Sequence, residues 1–407
     1  MCENVRQDGL VSWAPTRRSA VADLLRRPRY PSFALTVLLS RASGTMFNIA
    51  GVLLVLGRTG SAPLAGATAA AAVLPGALSG PILGAWLEVA THRRVLIVID
   101  QLLSVVGLLA IVALAGHAPN WTLPAVAVAY SITRPFSSGS FYSALAEIAG
   151  PELLDTASVI EASSLNLSFV VGPALAGALA GATSAAAAIE VQAAITVVVV
   201  VLVAINPAFE ARPEQRAKSV AHALAQGTQA LARNPVLRAT GAAATLAAFG
   251  WGLMTIGFPL YAARTLHAGT NAGGYLWAGM ALGSILGTFV LRGSPSRRRI
   301  SLSYAILGLS ALVWPLAHEL TFGILLVTLT GFLEGPAYSG TIALRQRHTP
   351  PAVRAQVTTT LTGIAMVAAS AGAAIGGVVH QILPLVIAFA VINAAAALTS
   401  AKLRPAA

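Results

Sequence analysis

Twelve apolar stretches, each long enough to cross a lipid bilayer, restrict the fold of this chain more than any other feature. A spanning helix needs roughly 20 apolar residues to cross a hydrocarbon core about 30 Å thick. The predicted spans are 33–56, 64–87, 95–115, 122–145, 157–181, 184–204, 238–262, 272–292, 300–317, 320–344, 355–379 and 382–401. Only 10% of the 407 residues are charged, whereas soluble domains are about one quarter charged. We therefore predict an all-α, multi-pass membrane protein whose main solvent is lipid.

The spans fall into two groups of six, separated by a polar stretch. The predicted parts are a basic arm over 1–31, a first six-helix bundle over 32–205, a linker over 206–237 and a second bundle over 238–403. The arm lacks the apolar core of a secretory signal. Its Val21, Leu24 and Leu25 predict a short basic helix at the membrane interface, and the apolar residues of the linker predict an amphipathic helix there too.

Lysine and arginine placement predicts the orientation. With a cytoplasmic N-terminus, all but four of the 26 basic residues fall in the arm, the inner loops and span ends, the linker or the C-terminus. The exceptions are Arg58 and Arg264 outside, and Arg41 and Arg134 within spans. This asymmetry places both termini in the cytoplasm, in a plasma membrane. It also explains the net charge of +12 without a nucleic-acid partner, for which the chain has no motif.

The two halves repeat each other at the level of single residues. Span two contains a ladder of glycines at every fourth position, and span eight contains a second ladder 203 residues later. Their members are Gly76, Gly80, Gly84, Gly279, Gly283 and Gly287. Such a ladder lies on one helix face and lets another backbone approach closely, so helix packing is its simplest role. Because each half has six spans, the repeats are parallel and related by an axis along the membrane normal.

In these elements the chain resembles the major facilitator superfamily over residues 30–404. The family's loop after span two has a glycine, an acid and a base that match Gly84, Glu88 and Arg93; Val89 and Thr91 depart from its pattern. The resemblance implies two pseudo-symmetric six-helix bundles around a translocation path. It also implies an inner gate that involves this loop and Arg94.

A second family element lies in span five. Gly172, Pro173 and Gly177 match the glycine-proline element associated with exporters, whereas Ala176 and Ser168 replace two of its glycines. The element also serves helix packing. Among the branches of the family, the placement of Arg41 and Asp100 most resembles that in the bacterial drug and macrolide exporters.

Few ionisable residues lie within the predicted spans, so each is informative. They are Arg41, Asp100, Arg134, Glu161, Glu190 and Glu334. Each costs about 2.5–3.5 kcal/mol at a helix centre unless it is paired, faces water or is neutral. We expect Glu161 and Glu190 to be interfacial.

Arg134 and Glu334 occupy near-equivalent positions midway along spans four and ten. The resemblance implies that these spans face each other across the path. One hypothesis is that Glu334 carries a coupling proton and Arg134 tunes it; the other is a structural or gating ion pair. Phe136 and Tyr338 flank these charges and are predicted to line the cavity.

Two further charges leave alternatives open. Asp100, early in span three, is predicted to join an inner gate with Arg93 or Arg94, or to reach interfacial water. Arg41, early in span one, either pairs with an acid of its own half or contacts lipid phosphate.

The sequence lacks the motifs of several other functions. It has no phosphate-binding glycine-rich loop that ends in a lysine, its seven histidines are scattered, and no nucleophile elbow is present. We therefore predict a monomeric, non-enzymatic transporter that needs no cofactor. It would export a small amphipathic molecule by proton antiport. An importer or facilitator suits the same fold; in a non-transporting scaffold, loss of the Arg134 and Glu334 charges would be silent.

Overall fold

The computed structural model describes residues 17–79, 83, 92–210, 229, 231–291, 296–349 and 354–401. Within these residues every regular element is helical, which confirms the predicted fold class.

The described part of the first half contains seven α-helices. They are α1 (Arg17–Arg26), α2 (Tyr30–Thr59), α3 (Ala62–Ala71), α4 (Arg93–Leu114), α5 (Thr122–Ser131), α6 (Arg134–Ala182) and α7 (Ala185–Ile205). After a turn at 72–73, the chain of α3 is helical again over 74–79. Ser61 and Ser184 cap the starts of α3 and α7, because each hydroxyl accepts a hydrogen bond from a backbone N–H of the first turn.

The described part of the second half contains six α-helices. They are α8 (Pro235–Arg264), α9 (Gly273–Val290), α10 (Arg297–Ala311), α11 (Leu320–His348), α12 (Arg354–Val379) and α13 (Ile382–Ala401). Across both halves, the described residues include three short 3₁₀ segments, at Pro207–Phe209, Thr270–Ala272 and Trp314–Leu316. Asn234 caps α8 by accepting hydrogen bonds from the N–H groups of Val236 and Leu237, so this helix begins at Pro235, three residues before the predicted start of span seven at 238.

Eleven helical segments among the described residues are long and apolar enough to cross a membrane, one fewer than predicted. The exception is the fourth predicted span, 122–145, which a turn at 132–133 divides into α5 and the start of α6. Pro135 explains the division. In a continuous helix its ring would clash with the carbonyl four residues earlier, at Ser131, where α5 ends.

Predicted spans four and five are joined in the structure through α6. Helical geometry is interrupted inside this element at Gly150, with φ 66° and ψ 172°. Glycine adopts positive φ without the steric penalty of a Cβ atom. The loop predicted around 146–156 is thus reduced to a break at one glycine.

The N-terminal helix α1 forms where the sequence predicts a short basic helix, but it packs against the bundle. Leu24 is fully buried with Phe33, Phe141 and Leu153 in one apolar cluster. Leu25, in contrast, is 52% exposed. The prediction that both leucines share the membrane interface is therefore wrong for Leu24, because the bundle supplies an apolar surface nearer than lipid.

The two halves touch closely at the end where α2 connects to α3, α6 to α7 and α12 to α13. A Cβ atom at Gly177 would collide with the carbonyl oxygen of Gly274 in the other half, and one at Gly66 with the carbonyl oxygen of Ala373. Such contacts between backbones need glycine on at least one side. This end of the bundle is closed between the halves.

Candidate functional site

A cavity of about 320 Å³ lies between the two halves. The first half supplies mostly apolar wall from α2, α3 and α6: Asn48, Ile49, Ala69, Val73, Phe169, Val170 and Pro173. The second half supplies the remaining described lining residues, including the aromatic residues Trp251, Trp277, Tyr304 and Tyr338. The charged side chains among the described lining residues are Glu334 and Arg345.

One face of α11 carries both of these charges. Glu334, Tyr338, Thr341 and Arg345 all line the cavity, and their spacing of four, three and four residues places them on one helix face. At a rise of about 1.5 Å per residue, Glu334 and Arg345 lie roughly 16 Å apart along the helix axis. The Tyr304 hydroxyl is 3.3 Å from that of Thr341, and Tyr304 lines the same cavity.

Neutral donors hold the Glu334 carboxylate. Trp251 donates its Nε1–H to Oε1 of Glu334 at 2.9 Å, and the Ser284 side chain donates a further hydrogen bond. Among the described residues, no arginine or lysine nitrogen lies within 4.0 Å of this carboxylate. The ion pair between Arg134 and Glu334, one of the two hypotheses from the sequence, is thus not formed in this structure.

Arg134 instead lies near the acid of its own half. Asp100 is buried and accepts hydrogen bonds from Thr133 at 2.8 Å, from Gln101 at 3.1 Å and from Ser137. The Arg134 guanidinium interacts electrostatically with this carboxylate. The expectation that Asp100 pairs with Arg93 or Arg94, or reaches interfacial water, is therefore wrong.

Arg41 forms a buried ion pair with Glu161. Its Nη2 lies 2.5 Å from Oε1 of Glu161, and its Nη1 donates to the Glu161 backbone carbonyl at 3.0 Å. The two side chains are 10% and 7% exposed. Of the two alternatives for Arg41, the structure thus has the pair within its own half, and Glu161 is buried in this pair.

Arg93 and Arg94 at the start of α4 each bind an acid at that end of the first half. Arg93 forms a bidentate pair with Glu147, at 2.7 and 2.9 Å, and donates to the backbone carbonyl of Glu210 at 2.7 Å. Arg94 pairs with the Glu210 carboxylate at 2.8 Å. These contacts join α4, α6 and the segment after α7. Gly84 and Glu88 of the predicted inner-gate loop lie outside the described residues, as does Gly80.

Comparison with known proteins identifies the family of a chain with this architecture. A sequence model of the Major Facilitator Superfamily matches residues 33–377. The chain belongs to the Major Facilitator Superfamily. An uncharacterized MFS-type transporter of Sinorhizobium fredii, y4rN, is 28% identical over 378 residues, which cover 89% of this chain and 91% of that protein.

Solved structures of superfamily transporters share the fold. A bacterial homologue of the human lysosomal transporter Spinster, inward-facing and unoccupied, has a TM-score of 0.64 at 15% identity and covers 98% of this chain and 100% of its own. The nucleoside transporter NupG has a TM-score of 0.64 at 15% identity, with 92% and 99% covered. At this identity the likeness concerns the fold alone.

The remaining predicted site residues of this superfamily member fall into two groups. Tyr338 lines the cavity, whereas Phe136 is buried and is not among the lining residues. The glycines lie at close helix contacts: Gly76 against Ser131, Gly172 against Thr45, Gly279 and Gly283 against Thr328, and Gly287 against Phe332. Pro173 lines the cavity beside Gly172.

Sequence reasoning missed Arg345, which it places in a loop after span ten. α11 continues to His348, so Arg345 belongs to the helix and lines the cavity. Arg345 lies three helical turns after Glu334, and this spacing on one face was the available signal. The positive-inside rule concealed it, because an arginine near a span end is ordinarily an interface anchor.

Proposed function

We propose that this chain exports a small amphipathic molecule by proton antiport through alternating access. Three features support the proposal: the closed contact at one end of the halves, the cavity between them and the apolar character of most of its wall. Such a wall suits the apolar part of a ligand, and a few polar groups orient the remainder.

One observation carries the coupling part of the proposal: Glu334 faces the cavity with neutral donors as its partners. A carboxyl group in a buried ion pair cannot accept a proton without leaving the cation unpaired, which is costly. Because the described partners of Glu334 are neutral, protonation of its carboxylate leaves no cation unpaired. It can hold a proton in one state of the transport cycle and release it in another while Trp251 remains a donor to one of its oxygens.

Export is supported by the partial match of Gly172, Pro173 and Gly177 to the glycine-proline element associated with exporters. Pro173 lines the cavity and Gly177 contacts Gly274 across the closed end, so this element connects the cavity wall with the contact that has to open. The proposal includes a monomer in the plasma membrane, and the arginine distribution supports an orientation with both termini in the cytoplasm.

The test is transport by Glu334→Gln in everted vesicles with an acidic lumen. Amphipathic fluorophores with acidic, basic and neutral head groups serve as substrates. We expect the wild type to concentrate at least one of them in the lumen. Glu334→Gln should abolish this accumulation yet retain exchange down a substrate gradient, since glutamine keeps the shape and the acceptor oxygen.

Glu190→Gln is the matched control, because Glu190 is an exposed acid in α7 and its loss should leave accumulation unchanged. Equal loss of accumulation and exchange in Glu334→Gln would reassign this residue to substrate binding or folding. Depletion of the fluorophore from the lumen would indicate an importer. Transport that does not respond to the pH gradient would indicate a facilitator.

A further inference from the structure

Arg345 is a cation on the cavity wall without an acid partner among the described residues. Its resolved hydrogen bond is a long one, 3.4 Å from Nη2 to the Thr240 carbonyl. Its Nε is buried and has no hydrogen-bond partner. Removing a charged group from water without a counter-ion is costly, so an occupant that supplies negative charge would stabilise this arrangement.

A second donor at the same cavity is also unsatisfied. The Trp277 indole nitrogen is buried and has no hydrogen-bond acceptor among the described residues, and Trp277 lines the cavity. Buried donors in native proteins nearly always have partners, so an unsatisfied one needs an explanation. In contrast, the acceptor Glu334 already has its donors. The described polar groups of the cavity therefore leave donors unmatched, and the complementary ligand carries acceptors.

The rest of the cavity wall indicates what the apolar part of that ligand is like. Trp251 and Trp277 line the cavity with ring centroids 5.7 Å apart, and Met280 and Met366 lie along the same wall. Aromatic faces and thioether side chains favour flat, polarisable ligands. The separation of Arg345 from Glu334 along α11 keeps the acidic group of such a ligand away from the carboxylate.

We propose that the transported molecule is an organic anion with an aromatic body, whose acidic group binds Arg345 and whose ring packs beside Trp251 and Trp277. This proposal rests on the proposed function only in taking the cavity as the substrate site. It specifies the chemical class of the substrate, whichever ion drives its movement.

The test is equilibrium binding to the purified full-length protein in phosphatidylcholine nanodiscs at neutral pH, without any ion gradient. Three probes share one ring system: naphthylacetate, naphthylethanol and naphthylethylamine. We expect the wild type to bind the anion roughly tenfold or more tightly than the alcohol, as expected for one charge-assisted hydrogen bond in a shielded site. The amine should bind most weakly.

Two variants of Arg345 and one control test whether Arg345 binds the acidic group of the ligand. Arg345→Gln should lose the preference for the anion, and Arg345→Lys should retain part of it because lysine keeps the charge but not the planar fork. Arg347→Gln removes an equal charge from an exposed position on the same helix and should bind like the wild type. Each probe partitions into lipid to the same extent for all variants. A difference in binding between variants therefore reports binding to the protein.

Several outcomes would refute the anion site. These are an unchanged preference in Arg345→Gln, a wild type that prefers the amine, and no binding of naphthylacetate at millimolar concentration. Nanodiscs with phosphatidylglycerol test a lipid headgroup as the occupant: weaker naphthylacetate binding there, in the wild type but not in Arg345→Gln, would assign Arg345 to lipid. Because no gradient is present, failure of proton antiport and failure of the anion site are distinguishable.

Discussion

Breaking the Arg41–Glu161 pair on one side is expected to destabilise the protein more than removing both charges. Both side chains are at least nine-tenths buried, and removing one partner of such a pair typically costs about 3–5 kcal/mol. Glu161→Gln should lie near the lower bound, because Arg41 keeps its hydrogen bond to the backbone carbonyl of residue 161. Arg41→Met should lie nearer the upper bound, because it leaves a buried carboxylate without its cation.

The double variant Arg41→Met/Glu161→Gln has no buried charge at this position. We expect its free energy of unfolding to lie within about 1 kcal/mol of wild type, since neutral side chains of similar volume often replace a buried ion pair without loss. The measurement is reversible unfolding in mixed detergent micelles, as a double-mutant cycle. Exposed Glu190→Gln is the control, with an expected change within about 0.5 kcal/mol.

Additive effects of the two single variants would refute this reasoning, because they would mean that the pair has no interaction energy. The same variants also separate a folding role from a transport role for Arg41. If the double variant folds and still accumulates substrate, the pair is structural. If it folds and fails to accumulate substrate, Arg41 belongs to the transport cycle.

Two further predictions concern helix packing and topology. Gly283→Ala should destabilise the protein by about 1–3 kcal/mol through overpacking, since its Cβ would collide with the α11 backbone. Gly363→Ala, whose Cβ would have open space around it, should be neutral or stabilise the protein by up to about 1 kcal/mol. Thermal unfolding of both variants in detergent is the measurement, and equal effects would rule out the close contact at Gly283. Cys2 is the only cysteine, so a membrane-impermeant maleimide should label the protein in everted vesicles and not in intact cells; labelling in intact cells would reverse the proposed orientation.

The predicted spans agree closely with the observed helices where the backbone follows local rules. Span one, predicted over 33–56, lies within α2, and span twelve coincides with α13. The fourth span shows where such reasoning fails. Its composition is apolar throughout, and Pro135 is visible in the sequence, yet hydropathy averages over a window and does not register one ring clash. Gly150 likewise replaces a predicted loop by a single non-helical residue.

The charged residues show a different limit. The sequence singles out a small set of membrane charges, because each is rare and costly there. Pairing them by pseudo-symmetry, however, joins Arg134 with Glu334, whereas each of these lies among partners within its own half. Arg345 was missed for a different reason: a basic residue near the end of a span is ordinarily interpreted as an interface anchor.

Composition and residue period alone were sufficient to predict the helical class and a chain with many membrane-crossing helices, because these depend on neighbours within a few turns of one helix. The pairing of the buried groups required the folded chain. Partners in the structure are separated by 33 residues for Thr133 and Asp100, 83 for Trp251 and Glu334, and 120 for Arg41 and Glu161. Such contacts depend on how helices rotate and pack against one another, and no local pattern encodes that rotation.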